Sequence, residues 1–555
     1  MKSYTGHIDT FARDNLPPRN RWPELIFELP ELRFSDRLNC ATELLDKAVA
    51  GGYANRPALW RKDGSVWTYR QLLHQANRIA RVLTEDMGVV PGNRVLLHGP
   101  NNPMLAACWF AALKAGAIPV PTMPLLRNRE LAVVVRKALI RHALVDKRLY
   151  AELEETRAQC PMLEQVKYFF DDAPDSVEQR AAAKPASFTN VDTAAEDVAL
   201  ITFTSGTTGV PKGTMHLHRD VMASCECFPK YILNQSPDDI VAGTPPLAFT
   251  YGLGGLLHFP LRFGASSVLI EQYTPQTLLE TVKRYGVTVL YTAPTMYRAM
   301  AEIAHGYDLS SLRTCVSAGE MLPAPTRAAW EKATGVRLID GIGSSEMLYI
   351  FISAAGDDIR PGATGKVVPG YRATVLDDAG RPCAPGVVGR LAVKGPTGCR
   401  YLDDERQTTY VQNGWNVTGD AYLMDSDGYF WYQARTDDMI ISAGYNIASP
   451  EVEGALLTHP AVAECAVVGV PDEERGQIVK AFVVLAPGHG KSEDMVKQLQ
   501  EHVKRAIAPY KYPRAVEFLD ALPRTGTGKL QRFKLRDLAG GAQVPQAQPA
   551  QETAP

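Results

Sequence analysis

A chain of 555 residues is too long for a single hydrophobic core, because cores stop growing near ~250–300 residues and longer chains divide into domains. Hydrophobic residues make up 45% and charged residues 22%, which reads as globular and excludes global disorder. A net charge of -2, from 59 Lys+Arg against 61 Asp+Glu, argues against a dominant nucleic-acid-binding face.

In chain order, the opening MKSYTGHIDTFARDNLPP carries Asp9 and Asp14 and no apolar run, unlike a signal peptide. Thr68 then precedes YRQLLHQANRIARVL, where Leu72, Leu73, Ala76, Ile79, Ala80 and Leu83 recur at helical spacing. RVLLHG from Arg94 reads as a short buried strand. Leu105, Trp109, Ala112 and Leu113 mark one face of another helix, and AIPVP reads as the next strand. The apolar run from Met104 to Val120 is interrupted by Lys114, Gly116 and Pro119 and falls short of a membrane span. Alternating units of this kind predict an α/β fold with a mostly parallel sheet and helices on its faces. After about Val367, ATVLDDAGRPC, GRLAVKGP and DGYFWYQAR are short strands divided by turn dipeptides, as in an antiparallel subdomain.

From Asp437 onward a compact α+β stretch is expected, with strands AECAVVGV and IVKAFVVLAP. An amphipathic helix between Ser492 and Ala508 places Val496, Leu499 and Val503 on one face. The last residues, AGGAQVPQAQPAQETAP, read as a disordered tail. The expected organisation is an N-terminal domain over 1–435, a small mobile domain over 436–537 and a tail over 538–555. The nine cysteines, Cys40, Cys108, Cys160, Cys225, Cys227, Cys315, Cys383, Cys399 and Cys465, form no CxxC pair and are expected as buried fillers in a reducing compartment. A cytoplasmic protein, with neither membrane nor nucleic acid as partner, is the default.

The most informative stretch is TFTSGTTGVPKGTMHLH, Thr202 to His218, which begins where the strand-like DVALITF ends. Spaced glycines let backbone N–H groups approach a polyphosphate, hydroxyls add hydrogen bonds, and Lys212 adds positive charge. A flexible Ser/Thr/Gly linker has no need of a lysine and a proline set among the glycines. A kinase-type G-x-x-x-x-G-K-S/T loop is excluded because Pro211 holds the second glycine position, and GTGKL at Gly526 fails because Leu530 follows the lysine. Neither GLGGLL at Gly252 nor GIGSSE at Gly341 completes a dinucleotide fingerprint.

TSGTTGVPKG resembles the signature loop of the adenylate-forming superfamily, which includes acyl- and aryl-CoA ligases, luciferases and peptide-synthetase adenylation domains. DGIGSSEM, TGD, ARTDDMIISAGYNIASPEVE and LPRTGTGKLQR resemble its further motifs and follow in the family's order. The resemblance implies a large N-terminal domain, a mobile C-terminal domain, and ATP, Mg2+ and coenzyme A as cofactors and co-substrates. It implies that Thr204, Ser205, Gly206, Thr207, Thr208, Gly209 and Lys212 cradle phosphates, that Glu346 holds Mg2+, and that Ser345 keeps the hydroxyl of a usual threonine. Gly319, Glu320, Asp340, Gly341, Ile342 and Gly343 would surround the base, and Asp420 with Arg435 would meet the ribose. Lys529 would meet the carboxylate and α-phosphate, Asp437 would be the hinge, and Gly444 with Tyr445 would line the pantetheine path.

The acid would lie among Phe249, Tyr251, Gly252, Ala318, Gly343 and Tyr349, with Phe249 at a gate often held by histidine. DGIGSSEMLYIF and DTFARDNLPPR look most like benzoate- and 2-aminobenzoate–CoA ligases, implying a small aromatic carboxylate as substrate and a monomer or homodimer. A medium-chain fatty acyl-CoA ligase shares the nucleotide motifs, a stand-alone adenylating enzyme would load a carrier protein, and a binding protein without catalysis would keep the fold. All three remain open at this level.

Overall fold

The computed structural model describes residues 4–61, 63–204, 211–435, 438–442, 445–472, 475–524 and 530–539. Two compact units emerge. The larger extends to Leu322 and includes Thr326–Thr418 and Leu423–Trp431; the smaller holds Tyr432 onward together with Pro323–Pro325 and Gly419–Tyr422.

The larger unit is built on two sheets with parallel cores. In one, Ile118–Thr122, Arg94–His98, His142–Asp146 and Gln165–Phe169 lie side by side, all parallel. The hairpin of Val198–Thr204 and Lys212–Leu217 shares its core, where Leu96, Val120, Ile201, Met215 and Leu402 meet. The other has nine strands among the described residues. Its parallel centre runs Leu338–Gly343, Thr314–Ser317, Val289–Thr292, Ile240–Gly243, Ser266–Val268 and Pro57–Trp60, with antiparallel strands at both ends. Parallel strands carry their chain ends to a common edge, and that edge receives ligands in open α/β sheets. The antiparallel subdomain expected after Val367 is present as Arg372–Leu376, Gly389–Lys394, Trp415–Met424, Val411–Gln412 and Phe430–Arg435.

Helix Tyr69–Arg81 starts as its sequence predicts. The Gln71 N–H donates to Thr68 Oγ1 at 3.2 Å while the Thr68 N–H donates to Gln71 Oε1 at 2.8 Å, a reciprocal cap. Helix Pro103–Lys114 departs from the expected single apolar face, because every one of its residues is buried. It packs against helix Tyr69–Arg81 and strands Arg94–His98 and Ile118–Thr122, and Trp109 lies 4.6 Å from the His258 ring. Its lysine tolerates this because Lys114 Nζ, fully enclosed, reaches Asp46 Oδ2 at 2.6 Å.

In the smaller unit, Val462–Asp472 and Gly476–Leu485 form a long antiparallel pair, which Ala515–Phe518 joins in parallel and Ile440–Ser442 in antiparallel fashion. Helix Glu493–Ala506, capped by Ser492, buries Met495, Leu499 and Val503, so Met495 takes the place expected of Val496. All nine cysteines are free thiols, and seven are buried. Among the described residues no helix is long and apolar enough to cross a membrane.

Candidate active site

The strands that flank the predicted phosphate loop form an antiparallel hairpin. Thr204 ends one strand and Lys212 begins the other, and the two are register partners. Ser205, Gly206, Thr207, Thr208 and Gly209, between them, lie outside the described residues. The segment Arg400–Leu402 flanks the second strand: the Met215 N–H donates to Arg400 O and the Leu402 N–H to Gly213 O, each at 2.8 Å. Side chains alternate along such a segment. Arg400 forms an ion pair at 2.6 Å with Asp220, both fully buried. Tyr401 instead donates to Glu346 Oε1 at 2.6 Å and lies 3.3 Å from Lys212 Nζ. Burial first, and then the Glu346 carboxylate, push the Tyr401 phenol far above its ordinary value, so it stays a proton donor.

Glu346 follows the strand Leu338–Gly343 in a tight turn, where the Leu348 N–H donates to Ser345 O at 3.2 Å and Ser344 Oγ accepts from the Met347 N–H at 3.2 Å. Leu348 is held at φ 67°, a left-handed conformation that side-chain-bearing residues rarely adopt. Glycine is required at Gly343, whose added Cβ would lie 2.6 Å from Tyr349 O, and at Gly319, which has φ 93° just past the strand Thr314–Ser317. Ala318, Gly319 and Glu320 thus follow the chain end of one parallel strand, while Asp340, Gly341, Ile342 and Gly343 end its neighbour.

Burial pushes the Asp340 carboxyl up to about 7, against the pull of Arg327 and the Gly341 N–H. Its folded pKa therefore exceeds the unfolded one, so the stability it contributes is complete below about pH 4 and is lost as pH rises through about 7. Asp340→Asn removes that loss. Thermal unfolding at pH 5 and pH 8 is expected to show the variant gaining on the wild type at the higher pH, and an unchanged difference between the two would contradict the assignment.

The aromatic residues converge behind a glycine-rich segment. The chain turns after strand Ile240–Gly243 through a loop held by Asn101, which donates to Pro245 O at 2.9 Å and accepts from the Leu247 N–H at 2.8 Å. Phe249 and Tyr251 follow, both half-buried. Tyr251 donates to Val316 O at 3.0 Å. Its ring lies 6.1 Å from Tyr349, which is edge-on to Phe259 at 4.4 Å and tilted against Phe228 at 5.3 Å. The close approach needs glycines: a Cβ on Gly254 would lie 2.5 Å from the Tyr349 ring, and one on Gly252 would lie 2.2 Å from Pro246 O. The hydroxyls of Tyr349 and Tyr291 are buried beside each other, with no other hydrogen-bond partner among the described residues.

In the smaller unit Arg435 Nη1 donates to Asp420 Oδ1 at 2.9 Å, beside Gly419 at φ 76°. Tyr445 begins the strand Tyr445–Ile447. Lys529, Asp437 and Gly444 lie outside the described residues. The structure thus brings Lys212 and Glu346 together at Tyr401, with Thr204 across the hairpin from Lys212, and brings Tyr251 and Tyr349 together beside Gly254. Sequence reasoning missed Tyr401, Tyr291 and Phe228, because CRYLDD and VLYTAP carry no spacing that marks them.

Residues 46–400 match the AMP-binding enzyme family and residues 451–529 match the AMP-binding enzyme C-terminal domain. The fold is the adenylate-forming one. The chain belongs to the AMP-binding enzyme family, as an AMP-forming acid–CoA ligase. It is 36% identical to a benzoate–CoA ligase of Thauera aromatica over 514 residues, covering 91% of this chain and 97% of that protein. An anthranilate CoA ligase, AuaEII, solved with anthranoyl-AMP, superposes with a TM-score of 0.87 at 36% identity, covering 92% of this chain and 99% of that one. A benzoate CoA ligase from Burkholderia xenovorans LB400 gives 0.82 at 32% identity, covering 90% and 99%.

Proposed function

We propose that the protein joins a small aromatic carboxylate, 2-aminobenzoate or a related benzoate, to coenzyme A. The single observation that carries this reading is the cluster of Phe228, Tyr251, Phe259 and Tyr349 gathered beside Gly254, an aromatic environment suited to a planar acid. The buried hydroxyls of Tyr349 and Tyr291 add hydrogen-bonding capacity for a polar ring substituent. The likeness to a benzoate–CoA ligase and to an anthranilate CoA ligase supports the same reading.

The chemistry has two halves. A carboxylate oxygen attacks the α-phosphorus of ATP, the α–β bond breaks, and pyrophosphate leaves. The thiol of coenzyme A, giving up its proton, then attacks the acyl carbon, and AMP leaves. Thr204 and Lys212 orient the phosphates from the hairpin end, and the ammonium of Lys212 balances their charge. The buried, hydrogen-bonded carboxylate of Glu346 fits a hard divalent cation, and Mg2+ held there would supply charge neutralisation to the polyphosphate. Asp420 accepts from the ribose hydroxyls, steadied by Arg435. Between the halves, the C-terminal domain turns about Asp437, withdrawing Lys529 and bringing Gly444 to the pantetheine arm. The protein works in the cytoplasm as a monomer or homodimer.

Pyrophosphate release assayed with benzoate, 2-aminobenzoate, salicylate and C6–C10 fatty acids, with and without coenzyme A, tests this reading. At least a tenfold preference in kcat/KM for an aromatic acid is expected, roughly the discrimination a shaped apolar pocket provides. Preference for a fatty acid, turnover with a carrier protein alone, or release of ADP and orthophosphate would overturn it.

A further inference from the structure

We propose that Tyr401 is a positioning residue that locks the carboxylate of Glu346 and the ammonium of Lys212 into one arrangement before the nucleotide enters. The inference rests on the phosphate and metal roles given above to those two residues.

Three segments far apart in sequence meet at this phenol. The hairpin supplies Lys212, the turn after strand Leu338–Gly343 supplies Glu346, and the segment Arg400–Leu402 supplies Tyr401 itself. The segment that carries Tyr401 is fixed from several sides. The backbone bonds from Met215 and Leu402 clamp the segment to the hairpin strand, and Gln407 Oε1 accepts from the Tyr401 N–H at 2.9 Å. On the opposite side the Arg400–Asp220 ion pair stops it from sliding. The ring is 1% exposed and rests edge-on against Tyr410 at 5.9 Å.

A phenol has one proton to donate and an oxygen that accepts. With the proton on the short bond to Glu346, the oxygen faces the Lys212 ammonium at 3.3 Å, so donation runs from lysine to tyrosine to glutamate. Without this hydroxyl the two opposite charges have no shared anchor, and Glu346 gains rotamer freedom that each nucleotide-binding event must remove. A tyrosine that only filled space would be replaced by phenylalanine without effect.

Tyr401→Phe keeps the ring and removes the hydroxyl. Calorimetric titration with ATP in the presence of Mg2+ and again with EDTA separates the two possibilities. Mg2+ is expected to tighten ATP binding less in Tyr401→Phe than in the wild type, by about tenfold, the scale of one hydrogen bond to a charged group, while affinity in EDTA falls by much less, since only the anchor of Lys212 then matters. In pyrophosphate release, kcat should fall with the KM for the acid unchanged. Adding Tyr401→Phe to Glu346→Gln should cost nothing further in Mg2+-dependent binding, which isolates the pair even if the single variant is less stable. Equal Mg2+ gain in wild type and Tyr401→Phe, additive losses in the double variant, or a matching loss in EDTA would overturn the proposal. A wild-type protein that releases no pyrophosphate with any acid would instead strike the underlying reading, while ATP titrations still report on Tyr401.

Discussion

Lys529→Ala is expected to slow adenylate formation about 10²–10³-fold while leaving thioester formation from a supplied acyl-adenylate largely intact. The residue falls outside the described part of the structure, so the expectation comes from the PRTGTGKLQR loop and its resemblance. Charge on the α-phosphate oxygens grows as pyrophosphate departs, and a cation placed there acts more strongly on the transition state than on bound ATP. Thiol attack needs no such cation and needs space where the lysine stood. Pyrophosphate release in the first turnover, compared with thiol consumption from synthetic acyl-adenylate, separates the halves. A parallel fall in both would contradict the proposed division of labour.

Arg400→Leu is expected to destabilise the larger unit by about 3–5 kcal/mol, since it leaves Asp220 buried with its cation gone. The pair itself need not stabilise the fold, because enclosing two charges costs about what their attraction returns. Asp220→Leu combined with Arg400→Leu should therefore recover much of the loss. Urea unfolding of the two single variants and the double variant measures the coupling. A single-variant loss under about 1 kcal/mol, typical of an exposed ion pair, would contradict the expected effect.

The legible parts of the fold were those with local causes. The cap at Thr68 and Gln71 and the strands Arg94–His98 and Gly476–Leu485 follow from neighbouring residues. Helix Pro103–Lys114 was misjudged as one-faced because its pattern of alanines fits an amphipathic helix as well as an enclosed one, and only Asp46 reveals why Lys114 can be inside. The contacts of Tyr401 were illegible for another reason. Its partner Glu346 is 55 residues away and Lys212 is 189, and no periodicity links them. Resemblance named Glu346 and Lys212 but offered no view of what holds them.

The enclosed helix also bears on how the choice of acid can change. Trp109 presses on His258, in the short helix Gly254–His258 that continues the glycine segment beneath Tyr349. The back wall of the proposed acid slot is therefore part of the molecule's interior and not a surface loop. Remodelling it for a bulkier acid means repacking residues that lie between the two sheets of the larger unit, so new substrates and lost robustness should arrive in the same substitutions.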